Sequence, residues 1–492
     1  MSTKTSGNLS NPDLAPVPAD QRTWSKWNIA SLWIGMAVCI PTYMIAGSMI
    51  QAGMNWWQAV LTVLLGNLIV LVPMILNGHG GTKYGVPFPV LARASFGTTG
   101  AHIPAIARAL VACGWFGIQT WIGGAALYAI LVALGWITEA TDADMIPVLG
   151  LSVGQFLCFL AFWAVHVVIV VRGIHSIKWV EAFAAPFLIA CSVALLIWAF
   201  VNVDSIAALF TTETHRPEGV SFLDLFFPWL TIMVGFWATL SLNIPDFTRY
   251  CKSQHDQAMG QLIGLPPTMT LFCFVSIIVT SATILIFGKA IWDPVELIAE
   301  LGSPTIVVFA MLALLIATLS TNLAANVVSP ANGFSNVAPQ LIGFRGGAMI
   351  TCVIGIVIMP WRLIDDLSGW LIAYGALLGP IAGIMLCDYF IIRRTKLQAD
   401  ALYDADGEYG GVNLAAIAAL VLALVPNLPG FINAVMGTAG QDTAWFAPFF
   451  DTMYGYAWFI GLPLAMLFYW LFMREWDPFK TIHVETHRPS QE

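Results

Sequence analysis

The sequence predicts an all-α polytopic membrane protein, and three observations lead to this fold class. The chain has 492 residues, of which 58% are hydrophobic and only 10% are charged. Its mean hydropathy of +0.79 is far higher than that of a soluble domain of the same size. Apolar stretches of about 20 residues, the length that crosses the hydrocarbon core of a bilayer as a helix, recur from end to end.

We expect twelve transmembrane helices, numbered here as spans 1 to 12. They cover residues 27–51, 55–76, 101–134, 151–172, 175–202, 222–246, 258–288, 303–328, 346–361, 367–392, 412–433 and 449–473. The ninth is short and ends at Pro360. The polar stretches 1–26 and 474–492 are predicted to be tails, and the first of them lacks the apolar core of a cleaved signal peptide.

The placement of positive charge predicts that both tails are cytoplasmic, and we expect the membrane to be a bacterial inner (plasma) membrane. With this orientation, all but three of the 20 Lys and Arg residues lie on the inner side, the exceptions being Arg216, Lys289 and Arg362. The net charge of −8 comes without a basic, aromatic-interleaved patch, so no nucleic-acid partner is predicted. The eight cysteines are scattered singly and indicate neither a disulfide framework nor a metal site.

Spans 1 and 6 share a short pattern. LWIGMAVCIPT at 32–42 and FWATLSLNIPD at 236–246 align without gaps through a Trp and an Ile-Pro pair. Five helices separate the two copies, an odd number that inverts the second copy in the membrane, and paired Pro-interrupted spans indicate a transporter site. The prolines predict a break in each span near mid-membrane, although they fit simple kinks in packed helices as well.

Span 8 carries six polar residues among positions 318–329. The helical period places Thr318, Asn322 and Asn326 on one stripe, whereas Ser320 and Thr321 point to another sector. Interhelical hydrogen bonds, worth about 1–2 kcal/mol or less each, are the ordinary explanation for single Ser or Thr residues in a span. Six in twelve positions favour a binding site.

Spans 3 and 6 add aromatic and amide groups to this stripe. In GWFGIQTW, Trp115 and Gln119 lie one turn apart on one face, and Trp237 lies beside the predicted break of span 6. Indole faces for stacking and carboxamides for a ring edge are what a flat, uncharged heterocycle requires. Each tryptophan taken alone, among 20, fits an interfacial or packing role equally well.

The hydroxyls of Ser320 and Thr321 could join unwound carbonyls in an all-oxygen shell for a small hard cation. Glu181 and Asp388 lie toward the ends of their spans and Asp246 follows the predicted break. A proton relay normally uses a carboxylate or histidine in the path, so sodium is favoured over the proton. The sequence shows no HExxH motif or true phosphate loop, so an enzyme is not expected; a passive channel stays open but fits broken helices less well.

Six segments resemble the nucleobase:cation symporter-1 family, which includes bacterial hydantoin and allantoin permeases and plant plastid and fungal nucleobase transporters. They are GMAVCIPTYMIAGSMI, GTKYGVPFPVLARASFG, GWFGIQTWIGG, GFWATLSLNIPDFTRY, ATLSTNLAANVVSPAN and LLGPIAGIMLCDYFIIRR, in family order through span 10. The resemblance implies two inverted repeats of five helices each, of the amino-acid transporter type with helices 1 and 6 broken, at 27–202 and 222–392. Two further helices would follow at 412–473, and transport would be cation-coupled.

The resemblance also implies roles for individual residues. Trp115 and Trp237 match the tryptophans that sandwich the ligand, while Gln119 and Asn326 match amides that bond it and Asn322 a supporting amide. The implied sodium ligands are the carbonyls of Gly35, Val38 and Ala317 with the hydroxyls of Ser320 and Thr321. No cofactor is implied apart from the coupling ion.

Two positions depart from the family. Cys39 stands where the hydantoin type has glutamine and the allantoin type asparagine, and Phe236 stands where the hydantoin type has glycine. Losing an amide partner penalises ligands that rely on it by about 1–3 kcal/mol, and Phe236 narrows the site. The sequence therefore predicts a sodium-coupled uracil or related nucleobase importer; a hydantoin, dihydropyrimidine or allantoin permease and a non-transporting nucleobase sensor are the alternatives.

Overall fold

The computed structural model describes residues 9–172, 189–211, 216–301, 303–441 and 443–475 as a bundle of helices. Within these ranges the strands are a two-residue antiparallel pair, Met145–Ile146 with Leu151–Ser152. The first half of predicted span 5, with Glu181, residues 1–8 of the predicted N-terminal tail and most of the predicted C-terminal tail lie outside the described residues.

The longer helices, and two short ones that matter for the site, are labelled in chain order. They are α1 (Lys26–Ala37), α2 (Ile40–Gln51), α3 (Trp56–Tyr84), α4 (His102–Ala133), α5 (Val153–Arg172), α6 (Ile189–Asn202), α7 (Phe222–Phe236), α8 (Ala238–Asn243), α9 (Gln254–Phe287), α10 (Pro304–Asn326), α11 (Val328–Val337), α12 (Phe344–Val357), α13 (Leu367–Leu386), α14 (Leu414–Leu424) and α15 (Ala457–Glu475). A π-helical turn, Cys387–Ile392, continues α13.

Short helical turns connect these elements. The α-helical ones are Phe88–Leu91, Arg93–Phe96, Ile206–Thr211, Pro245–Thr248, Pro294–Glu300, Pro360–Asp365, Leu428–Val435 and Pro448–Tyr454. The 3₁₀ turns are Ala19–Gln21, Asp142–Asp144, Asp400–Tyr403 and Val425–Asn427.

Eight helices in the described ranges are long and apolar enough to cross a membrane, and α1 with α2 form a ninth span bent by 58°. The other three predicted spans, numbers 5, 6 and 9, correspond to shorter apolar helices, namely α6, α7 and α12. The structure is therefore consistent with twelve spans, three of which appear within the described residues as helices shorter than a full crossing.

The predicted break of span 1 is present. α1 ends at Ala37, Val38 and Cys39 leave the helical conformation, and α2 restarts at Ile40 with Pro41 as its second residue. The Cys39 N–H bonds the carbonyl of Ala37 rather than the carbonyl four residues back. The unwound turn thus frees the carbonyl of Gly35 from its usual helical partner.

The interruption of span 6 lies at Trp237, which the sequence places beside the predicted break, and not at Pro245 itself. α7 ends at Phe236, Trp237 has a non-helical backbone, and α8 follows, so the interruption comes eight residues before Pro245. The chain also restarts at Pro245, where the missing N–H costs nothing at the start of a helical turn. A further interruption, not predicted, separates α10 from α11 at Val327.

The N-terminal segment, residues 9–24, lies across one end of the bundle. Asn11 donates to the Ser335 hydroxyl at 2.7 Å, Arg249 donates to the Asp13 carbonyl at 2.9 Å, and Tyr403 donates to the carbonyl of the buried Leu14 at 2.7 Å. We call this end of the molecule the N-terminal face.

Candidate substrate and ion site

Trp115 is buried on α4 among other aromatic rings. Its indole N–H donates to the Tyr374 hydroxyl at 3.2 Å. Its ring meets those of Phe236 and Trp370 at inclined angles, each at a centroid distance of 5.1 Å. Edge-to-face contacts of this kind fix the orientation of a ring while leaving part of its surface for another contact.

Trp237, at the interruption between α7 and α8, is held from the other side. Its indole N–H donates to the Asn67 side chain on α3 at 3.1 Å, and its ring meets Trp33 edge-on at 5.1 Å. Phe236 touches Trp115 and also Trp237, the latter at 4.9 Å. The structure therefore brings both predicted tryptophans to one place, where each contacts Phe236.

The amides of α10 form a chain anchored on α4. The Asn322 amide nitrogen lies 3.0 Å from the Phe116 carbonyl and 3.2 Å from the Thr120 hydroxyl. Asn326 donates to the Asn322 oxygen at 2.9 Å. Asn322 thus positions Asn326, and the Asn326 side-chain oxygen is left to accept from a ligand.

Gln119 completes the polar side of the site. It lies one turn after Trp115 on α4 and is 4% exposed, and its side-chain oxygen has no hydrogen-bond partner within the described part of the chain. The same holds for the hydroxyl of Thr318 on α10. A buried acceptor without a donor is costly, so these groups indicate a place where a polar ligand or water belongs.

His166 on α5 was missed by the sequence analysis. It is fully buried, with Nδ1 3.0 Å from the Phe162 carbonyl and Nε2 3.1 Å from the Asn322 amide nitrogen. Since a carbonyl can only accept, the proton sits on Nδ1 and Nε2 accepts from Asn322. A lone histidine in the apolar run FWAVHVVIV was the signal that could have identified it.

The predicted ion ligands lie on α10 and on the unwound turn after α1. The Thr321 hydroxyl is 3.4 Å from the Gly35 carbonyl. Val38 and Ala317 are buried in the same cluster of apolar residues, and Ser320 is buried on α10 beside Thr321. Neutral oxygens near a freed helix end suit a monovalent hard cation.

The carboxylates near the site are used elsewhere. Asp246 accepts from the Phe88 N–H at 2.9 Å and from the Ser329 hydroxyl at 2.5 Å. Asp388 accepts from Ser95, Arg393 and Tyr469. No group of three or more His, Cys, Asp or Glu side chains that could hold a metal occurs in the described residues.

Cys39 does not project an amide-like donor toward the aromatic rings. Its sulfur is 3.2 Å from the hydroxyl of Thr42, one turn along α2. The thiol is therefore engaged within its own helix.

Comparisons with known proteins agree on one family. A family model described as permease for cytosine/purines, uracil, thiamine, allantoin matches residues 16–461. A purine-uracil permease of Arabidopsis thaliana is 44% identical over 474 residues, covering 94% of this chain and 78% of the relative. An allantoin permease of Bacillus subtilis is 38% identical over 497 residues, covering 99% of this chain and 97% of the relative.

Solved structures are similar along the whole length. The nucleobase-cation-symport-1 family transporter Mhp1, in a closed conformation with bromovinylhydantoin bound, has a TM-score of 0.78 and 27% identity, covering 96% of this chain and 98% of that one. A Na⁺-coupled sialic acid symporter has a TM-score of 0.62 at 13% identity, covering 94% and 92%, and shares the fold alone.

Proposed function

Because this chain belongs to the nucleobase:cation symporter-1 family of permeases, we propose that it imports a planar nucleobase, in the first place uracil, together with sodium. The family consists of membrane transporters, which confirms the expectation that the chain is not an enzyme. The likeness to Mhp1 likewise confirms the predicted fold class of a helical membrane protein built on inverted repeats.

The observation that carries the proposal is the meeting of two indoles with unpaired amide and hydroxyl groups. Trp115 and Trp237 both contact Phe236, and Gln119 on the same face of α4 as Trp115 offers a buried oxygen that no described residue bonds. A small flat ring fits between π-faces, and its N–H groups satisfy Gln119 and Asn326. Phe236 leaves little room for a substituent, which favours uracil over substituted hydantoins.

Sodium is the proposed coupling ion because the oxygens near the unwound turn are neutral. Thr321 lies beside Gly35, whose carbonyl has lost its usual helical partner. His166 is the titratable group nearest to the amide chain, but both of its ring nitrogens are engaged in the neutral form. Protonation of Nε2 would make it a donor facing the Asn322 amide nitrogen, which is also a donor, and the hydrogen bond would be lost. We therefore assign His166 a positioning role rather than proton transfer.

Rocking of the broken-helix spans against the other helices would alternate access to this site. We place the protein in a bacterial inner (plasma) membrane, with lipid around it and both termini in the cytoplasm. Reciprocity of binding free energies requires that sodium tighten uracil binding and that uracil tighten sodium binding by the same factor.

The test is quenching of tryptophan fluorescence in the purified chain by uracil, hydantoin, allantoin, adenine and guanine, each with and without sodium. We expect saturable quenching by uracil that tightens with sodium and is lost in Trp237→Phe. Trp445→Phe serves as the matched control, because Trp445 is 67% exposed and lies in the loop between Leu428–Val435 and Pro448–Tyr454. A response to hydantoin or allantoin instead of uracil would overturn the substrate, and binding without transport in liposomes would favour the sensor alternative.

A further inference from the structure

Two buried side chains on neighbouring helices hold hydrogen-bond donors that no described residue satisfies. Arg108 on α4 is 2% exposed, and its Nε donates to the Asn243 side-chain oxygen at 2.9 Å. Its Nη1 has no partner within the described ranges, and neither has the amide nitrogen of the fully buried Asn243. One bonded pair therefore presents two free donors, from α4 and from α8.

This pair is aligned with the candidate substrate site but separate from it. Arg108 precedes Trp115 by seven residues, two turns of α4, and so lies on the same helical face about 10 Å away. Arg108 lies nearer than Trp115 to the start of α4, where the His102 ring is hydrogen-bonded to Asn336, the neighbour of the Ser335 that Asn11 contacts at the N-terminal face. A ring leaving the aromatic site toward that face passes this pair.

A nearby carboxylate does not use the free donors of the pair. Asp246, one turn after Asn243, attracts the Arg108 guanidinium electrostatically. Its two oxygens accept from Phe88 and Ser329, however, and no salt bridge or hydrogen bond joins it to Arg108 among the described residues. A guanidinium in a membrane span with a single hydrogen bond is expensive, and charged groups so placed mark substrate or ion pathways.

A second buried arginine shows what a structural pair looks like in this protein. Arg93 donates Nε and Nη2 to the Asn336 side-chain oxygen, at 3.1 and 2.6 Å, and Nη1 to the Leu402 carbonyl at 2.9 Å. Its three bonding nitrogens are thus all used. Among the described residues the buried Arg249 also leaves its Nε unpaired, but only at the Arg108–Asn243 pair do an arginine and the amide bonded to it both hold a free donor.

We propose that Arg108 and Asn243 form a second binding position for the transported ring, on the N-terminal-face side of the aromatic site, that takes its carbonyl oxygens. This inference rests on the proposed function. The aromatic site offers oxygens and π-faces to the ring, whereas the second position offers N–H groups from a guanidinium and an amide. A cyclic imide or ureide carries both N–H groups and carbonyl oxygens. The same molecule can therefore bond the acceptors of the aromatic site and then the donors of the second position.

The test is equilibrium binding of radiolabelled uracil to the full chain in lipid nanodiscs, measured to saturation for stoichiometry. We expect two molecules per chain, the second bound at least tenfold more weakly than the first. Asn243→Asp is nearly isosteric and gives Arg108 a carboxylate that consumes its free donors. This variant is expected to bind one uracil, with the affinity of the first site changed by less than about threefold.

Asn336→Asp makes the same chemical change at the other buried Arg–Asn pair and is expected to keep both sites. Asn326→Ala is expected to weaken the first site and keep the second. One uracil per wild-type chain, or equal loss in Asn243→Asp and Asn336→Asp, would overturn the second position while leaving the proposed function intact. Absence of binding by wild-type protein to uracil, hydantoin and allantoin alike would overturn both.

Discussion

Replacing Thr321 with valine tests the ion site with a change of one atom. Valine keeps the shape of threonine and removes the hydroxyl that lies 3.4 Å from the Gly35 carbonyl. A hydrogen bond this long contributes little to folding, so we expect the melting temperature to change slightly. Loss of an oxygen ligand should cost the ion about 1–3 kcal/mol, which weakens sodium binding by about 5- to 150-fold.

The assay is the sodium dependence of uracil-induced tryptophan quenching, fitted for the apparent sodium affinity at fixed uracil. Thr351→Val is the matched control, because Thr351 is buried on α12 and donates to the Gly347 carbonyl of its own helix at 3.0 Å. Reciprocal coupling requires the uracil affinity in saturating sodium to approach the wild-type value. Unchanged sodium dependence in Thr321→Val and in the double variant Ser320→Ala/Thr321→Ala would refute the assignment.

Three further variants probe the substrate side. Gln119→Leu removes an unpaired buried acceptor, so it should weaken uracil quenching at least tenfold without lowering the melting temperature; a drop in stability would show that Gln119 is structural. His166→Gln should weaken uracil binding by moving Asn322 and leave the pH profile of uptake between pH 5.5 and 8 unchanged, whereas a shifted profile would return the proton as coupling ion. Phe236→Gly should admit 5-benzylhydantoin, seen as new quenching, at a cost of about 3–5 kcal/mol in stability measured by chemical denaturation.

Helical periodicity predicted which side chains share a face of one helix better than it predicted where a helix is interrupted or which residues of different helices are in contact. The stripe of Asn322 and Asn326 follows from a period that every helix shares, and in the structure Asn322 bonds α4 while Asn326 bonds Asn322. The interruption of span 6 was misplaced because a proline at the start of a helical turn is compatible with it, while the backbone at Trp237 departs from the helix without any proline.

Partners that come from distant parts of the chain carry no local signal. Tyr374 and Asn67 hold the two indole N–H groups from 259 and 170 residues away in sequence. His166 and Arg108 looked like isolated polar residues in apolar runs, and only the packing of α4 against α5, α8 and α10 shows what they touch. Buried donors and acceptors without partners become visible only when burial is known.

The contact between Trp33 and Trp237 bears on how the two aligned halves of the chain arose. These residues occupy the same position in the two aligned halves, and their rings meet at 5.1 Å. In a two-fold dimer, a residue that touches its own copy lies near the symmetry axis. If the halves descend from two identical chains, this contact was once made between the same tryptophan of each chain.

The two copies have since diverged in what they bond. The Trp237 indole N–H is held by Asn67, whereas that of the fully buried Trp33 finds no acceptor among the described residues. A symmetric cavity would present the same groups twice, but a nucleobase has no such symmetry. On the proposed function, a duplication would have made the two halves of the aromatic site alike, and binding an asymmetric ring would have required them to become different.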